Sequence, residues 1–278
     1  MSVRRVCLDA FGTVFSPRRP VFEQYAQVAR TYGLSVSDVK VKAGFKRAFK
    51  QWAAEHPLYG KHSNPPLRST EWWQGVIQDT FRFAGVPQEE LEPVQDSLAQ
   101  TLVRRFWGQE AYALHDEVPS FLRSLERLGL PPPAIVSNTD PVLSTILENL
   151  GCSETVLGKG GVRTEEIYTT WDIELEKQDV AFWDAVLERL NRNVEANGSR
   201  LRPEDVLVVG DELVADYETP RAAGHQSLLL RRLQPGEEHA NPSYVDEHDG
   251  ERKGIETVGS LTDVVRWLEQ DQSRSSTE

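Results

Sequence analysis

The sequence predicts an α/β protein, a Rossmann-like parallel sheet core interrupted soon after its first strand by an all-helical insert. Three observations carry that expectation. Short apolar runs without alternation (VCL, AIVS, VLVVG and SLLL) are separated by helical patterns, as expected of strands covered on both faces of a parallel sheet. From about Pro20, nearly a hundred residues keep helical periodicity with no strong strand signal. Finally, Asp9, Ser137 and Asp211 each stand at the end of an apolar run, where an open parallel sheet places its ligand site.

The elements follow in order. Residues 5–8 form a short buried strand that runs straight into Asp9 and turns through Gly12 and Thr13. Ser35 with Asp38 has the form of a capping box, and Val41, Phe45, Ala48, Phe49 and Trp52 follow at helical spacing. A helix begins near Ser69, with Trp72 and Trp73 in its first turn packing the insert's own core. Val94, Leu98, Leu102 and Phe106 form one stripe on a helix expected over 87–107. Past Val118 the chain alternates: helix to 128, strand 134–137, helix 141–150, helix 180–190, strand 206–210, strand 227–230, and a last helix over 261–269. Residues 232–254 read as a polar, acidic surface loop, and 271–278 as a disordered tail.

Bulk properties exclude several functions. A net charge of -12 over 278 residues argues against a nucleic-acid partner. Only Cys7 and Cys152 are present, without metal-ligand spacing, so neither a disulfide framework nor a zinc ribbon is available. Asp9 interrupts the N-terminal apolar stretch and no run approaches a membrane span. The expectation is a cytoplasmic or nuclear protein with no signal peptide, no transmembrane segment and no membrane partner.

Chemistry concentrates at the strand ends. A lone aspartate after a strand is as often a cap or turn residue, but three polar residues in equivalent positions are harder to assign to turns. Lys177 precedes a helix with Val180, Phe182 and Trp183 on its apolar face; taken alone it reads as a solvated lysine. In GDELVAD, Asp211 and Asp216 stand five apart across a turn, so they are either exposed or share a cation.

In this order the motifs resemble the haloacid dehalogenase superfamily: DAFGT, then Ser137 with Asn138, then Lys177 with QDVAFW, then GDELVAD. FKRAFKQWAAEHPLYG, STEWWQGVIQDTFRFAGV and DYETPRAAG are similar to the haloacid dehalogenase-like hydrolase domain-containing protein 3 group and its fungal relatives. The resemblance runs from Val3 to Leu230. It implies a core of residues 1–16 and 116–270 and a helical cap of residues 17–115. It further implies a Mg2+-dependent phosphohydrolase acting on a small phosphorylated metabolite, with Asp9 as nucleophile forming an aspartyl phosphate. Asp9, Asp211 and the backbone carbonyl of Phe11 would hold Mg2+. Lys177 and Ser137 would neutralise and hydrogen-bond phosphoryl oxygens, with Thr13, Asn138 and Asp216 in support. Lys40, Lys42, Lys46, Arg47 and Lys50 crowd one side of a cap helix. Of these Arg47, together with Arg18 and Arg19, is a candidate substrate contact, against the plainer reading of a solvated face.

One position departs from that pattern. The phosphatase branch of the superfamily carries a second aspartate where this chain has Phe11, and a phenyl ring moves no proton. Such help contributes on the order of 100 to 10,000-fold, so alkyl phosphates should be poor substrates. The dehalogenase branch has an aromatic at that place but works without metal and lacks the carboxylate kept here as Asp211. Two alternatives therefore remain: a catalytically reduced binding or regulatory protein, and a metal-free 2-haloacid dehalogenase. Gln178 and Val180 also stand where prolines are usual.

Overall fold

The computed structural model describes residues 3–193, 199–232 and 254–275. Its strands are β1 (Arg5–Leu8), β2 (Phe15–Pro17), β3 (Tyr112–Leu114), β4 (Ala134–Ser137), β5 (Ile167–Thr169), β6 (Val206–Gly210), β7 (Gln226–Leu230) and β8 (Thr257–Val258). Helices α1 (Val21–Thr31), α2 (Asp38–Glu55), α3 (Ser69–Phe83), α4 (Gln88–Leu91) and α5 (Gln95–Arg105) fill the stretch between β2 and β3. The remainder are α6 (Val118–Arg127), α7 (Leu143–Asn149), α8 (Glu154–Leu157), α9 (Thr170–Ile173), α10 (Val180–Arg192), α11 (Thr219–Ala222) and α12 (Leu261–Ser275). No helix among the described residues is long and apolar enough to cross a membrane.

Six strands form one sheet in the order β5-β4-β1-β6-β7-β8, every pairing parallel. β1 lies between β4 and β6, with Leu8 level with Ile135 on one side and Val209 on the other. From β1 the order runs outward through β4 and β5 on one side and β6, β7 and β8 on the other. Such a reversal of strand order opens a crevice beyond the carboxyl ends of the central strands.

The chain divides into two compact units, one of Met1–Ser16, Leu114–Asn138 and Gly151–Glu278, the other of Pro17–Ala113 and Thr139–Leu150. In the first, Cys7, Ala134, Val136, Val206 and Val208 alternate along their strands and bury one sheet face against Phe182, Trp183, Val186 and Leu190 of α10. In the second, Tyr25, Val41, Phe81, Leu98 and Leu102 centre one cluster, and Ala48, Trp72 and Val76 centre another lined with aromatic rings. Residues 139–150, expected in the core, group instead with the inserted unit, because Asp140 is bonded by Trp73 of α3 (2.8 Å) and Asn149 by Gln109 (2.6 Å).

Several sequence expectations need correction. The helix over 87–107 is two: Pro93 has no N–H to continue the ladder, and Val94 (φ -122°, ψ -10°) leaves helical space before α5. The cap of α2 is Ser37, which accepts from Lys40 N at 3.3 Å, not Ser35. The region read as all-helical ends in a strand, β3, which pairs with β2. α12 runs on to Ser275, so residues 271–275 are helical, not a disordered tail. Most of the acidic loop, residues 233–253, and the final residues 276–278 lie outside the described residues.

Candidate active site

β1, β4 and β6 deliver their terminal polar residues to one end of the sheet. Asp9 N–H donates to Val209 O (2.9 Å), so the residue after β1 sits level with the end of β6. Lys177 Nζ donates to Asp9 Oδ1 at 2.6 Å and forms a second ion pair with Asp216 Oδ1. Oxygens of Asp9, Asp211 and Asp216 all lie within 4.8 Å of one another. Thus Asp9, Lys177, Asp211 and Asp216 converge, and all belong to one compact unit.

Lys177 shows how the fold overrides local composition. Its neighbours Glu174, Glu176, Gln178 and Asp179 are exposed, yet Lys177 is 2% exposed. Its N–H donates to Asn138 Oδ1 (3.0 Å), and its carbonyl accepts from the indole of buried Trp183 (3.0 Å). Asp179 caps α10 by accepting from Ala181 N (2.9 Å), which fixes where the helix begins. The loop is therefore gripped from β4, from α10 and at its own helix start, without the prolines at 178 and 180. Asn138 acts here through the backbone of Lys177, and its side-chain amide also bonds Gln178 Oε1 (3.2 Å).

The fourth motif is placed by a π-helical turn over Leu213–Glu218, which brings Asp216 back toward β6, with its Oδ2 accepting from Glu212 N (3.0 Å). Two glycines make room. A Cβ on Gly210 would collide with Asp216, and one on Gly12 (φ +77°) would collide with the Asp211 carboxylate.

The electrostatics show a deficit of positive charge. Burial raises Asp9 to about 7; the neighbouring Asp216 and Asp211 charges add to the rise, while Lys177 opposes it. Burial likewise raises Asp211 to about 6, reinforced by Asp216 and Glu212. Burial alone would pull Lys177 down, but the Asp216 and Asp9 carboxylates outweigh it, so the ammonium keeps its proton. One ammonium does not neutralise three clustered carboxylates. The donor set is all hard oxygen, grouped closely enough for shared coordination, and it fits a small divalent cation such as Mg2+.

Of the other expected site residues, Ser137 is buried at the end of β4, level with Thr169 of β5. Thr13 is fully buried, and its hydroxyl finds no hydrogen-bond partner among the described residues. The Phe11 ring packs edge-on against Phe15 (centroids 4.7 Å apart). The three arginines belong to the inserted unit. Arg18 Nε is committed to Gln109 O (2.7 Å), Arg19 is exposed, and Arg47 lies over the Phe83 ring at 3.9 Å. Sequence reasoning missed Arg231 and Arg232, which bond the loops carrying Asp211 and Gly12. It also missed the indole of Trp183 as a support of Lys177.

A central parallel strand ending in an aspartate, a lysine paired to it, and two further acids on the next strand's loop define a haloacid dehalogenase-like hydrolase. A family model of that description matches residues 3–224, and the chain belongs to this family. Among its relatives is haloacid dehalogenase-like hydrolase domain-containing protein 3 of Danio rerio, 32% identical over 85% of this chain and 88% of the relative. The Saccharomyces cerevisiae protein YMR130W is 30% identical over 82% of this chain and 71% of its own length. Among solved structures, the L-2-haloacid dehalogenase from Xanthobacter autotrophicus shares the fold with a TM-score of 0.59 at 17% identity, covering 96% of this chain and 98% of that one.

Proposed function

We propose that this chain is a Mg2+-dependent phosphohydrolase acting on a small phosphorylated metabolite whose leaving group is already a weak base, such as an acyl or aryl phosphate. The observation that carries the reading is the buried Lys177 ammonium held between Asp9 and Asp216, with Asp211 completing the acidic cluster. Asp9, Asp211 and the backbone carbonyl of Phe11 would hold the cation. When bound, it supplies charge neutralisation for the phosphoryl oxygens and for the carboxylates around them.

Asp9 is the nucleophile. Its carboxylate attacks phosphorus, the bond to the leaving oxygen breaks, and the resulting aspartyl phosphate is hydrolysed by water, returning free Asp9 and inorganic phosphate. Lys177 supports the reaction by neutralising charge on the phosphoryl group, and Ser137 donates a hydrogen bond to it. Asp216 holds the ammonium in place, and Asn138 fixes the backbone from which it projects. Phe11 offers no proton to the departing oxygen, which restricts efficient turnover to groups that leave without one.

That same residue favours a second reading, a binding or regulatory protein that retains the fold and the cation but has lost turnover. A single experiment separates the two. Purified protein and its Asp9→Asn variant are incubated with acetyl phosphate, p-nitrophenyl phosphate and 2-chloropropionate, with and without Mg2+. Phosphate release that requires both Mg2+ and Asp9 supports the hydrolase. Silence on every substrate supports the binding protein. Chloride release without metal overturns both in favour of a dehalogenase.

A further inference from the structure

Two adjacent arginines at the end of β7 bond the loops that carry the acids. Arg231 Nη1 donates to the backbone carbonyl of Asp211. Arg232 Nε donates to Gly12 O (2.9 Å) and its Nη2 to Thr13 O (2.6 Å), while Nη1 pairs with Glu117. Both side chains are partly buried, and every partner lies in the same compact unit. β7 is two strands removed from β1, with β6 between them, so Arg232 ties the first-motif loop to the end of β7, from which Arg231 holds the fourth-motif loop.

We infer that Arg231 and Arg232 are positioning residues for the cation site: a paired guanidinium clamp that fixes the peptide planes of the two loops supplying its ligands. This rests on the reading of the site as a divalent-cation centre.

The physical need is specific. The turn after Asp9 must aim one carbonyl, that of Phe11, at the cation while its neighbours point elsewhere. Ala10 O accepts from Val14 N (2.8 Å) and Phe15 N (3.1 Å), and Gly12 O and Thr13 O accept from Arg232. Fixing the carbonyls at 10, 12 and 13 removes the freedom of the peptide between them to rotate. Gly12, at φ +77°, needs such restraint, because glycine has more backbone freedom to lose than any other residue. Arginine suits the task where lysine does not: a planar fork donates in two fixed directions, whereas an ammonium is a point charge on a flexible stem. Glu117 holds the outer edge of the fork, so the guanidinium is itself oriented.

Partners that orient metal ligands typically change metal affinity 10 to 100-fold when removed. The test compares wild type, Arg232→Gln, Arg232→Lys and Arg231→Lys, with Arg266→Gln, an exposed arginine that pairs with Asp263, as control. Two quantities are read: Mg2+ affinity by calorimetric titration, and amide hydrogen exchange at Gly12, Val14 and Phe15 in metal-free protein, with circular dichroism confirming that each variant folds. The expected result is about tenfold or greater weakening of Mg2+ binding with faster exchange in Arg232→Gln. The two lysine variants should be intermediate and Arg266→Gln unchanged. Should Arg232→Gln fail to fold, the lysine variants decide alone. Wild-type affinity in the Arg232 and Arg231 variants, with or without faster exchange, overturns the clamp while leaving the cation centre standing. Absence of Mg2+ binding by wild type overturns the reading of the site and the clamp with it.

Discussion

At position 11 the chain carries a phenyl ring where a proton donor would assist a departing alcohol, and the ring is built into local structure. Its edge-on contact with Phe15 anchors the turn between β1 and β2. Phe11→Asp should therefore have opposed effects. Losing the ring pair should cost about 1 kcal/mol of stability. Gaining a carboxylic acid two residues after Asp9 should raise hydrolysis of an alkyl phosphate by about 100-fold or more, with little change on acetyl phosphate, whose leaving group needs no proton. Initial rates on the two substrates check this; equal, unchanged rates would show that proton delivery does not limit turnover. Asp9, Lys177 and Asp211 of the converging cluster were legible in sequence because each ends a run or precedes a helix in a fixed order. Arg232 was not, since it bonds carbonyls 220 and 219 positions away and sits beyond the last recognisable motif. Arg18, a basic residue just after the first loop that invites a substrate role, donates from its guanidinium Nε to the Gln109 carbonyl.

Elements with strong internal pattern were read to within two or three residues, including β1, β4, β6 and the start of α10. β5 and β8 were missed because three- and two-residue strands carry too little alternation to register, and only their pairing with β4 and β7 defines them. The junction of α3 and α7 was equally invisible, because it depends on one buried carboxylate. Burial raises Asp140 above the usual aspartate range, partly offset by hydrogen bonds from Val142 N, the Trp73 indole and Ser69. A folded pKa above the unfolded one means that the native state binds more protons between the two values. Stability from this group is therefore greatest below the unfolded pKa of about 4 and falls as pH rises through the folded pKa. Asp140→Asn keeps an acceptor oxygen and removes the titration. The stability of the variant relative to wild type should thus improve as pH rises from about 4 toward neutrality. Urea midpoints at acidic and neutral pH measure the difference, and a gap that stays constant with pH would sink the assignment.

At the scale of the whole molecule, the two compact units serve different ends. The inserted unit is held by aromatic clusters around Trp72 and Phe81 and supplies none of the converging acids. The sheet unit holds Asp9, Lys177, Asp211 and Asp216 at the ends of its own strands and loops. Like charges gathered there oppose folding, so the binding free energy of a cation that joins them should appear as stability of that unit. At a Mg2+ concentration a hundredfold above the dissociation constant the gain is about 2.7 kcal/mol, and for a unit of this size each kcal/mol raises Tm by about 2–4 °C. Calorimetry with increasing Mg2+ should show an unfolding transition moving upward by several degrees. Hydrogen exchange should assign the added protection to β1 and β6, with α2 and α3 little changed. Asp211→Asn should abolish the metal dependence while making the metal-free protein no less stable, because it removes one of the repelling charges. A thermal shift that survives in Asp211→Asn would place the cation elsewhere on this strongly acidic chain, and no shift in either protein would mean that the carboxylates meet without a metal.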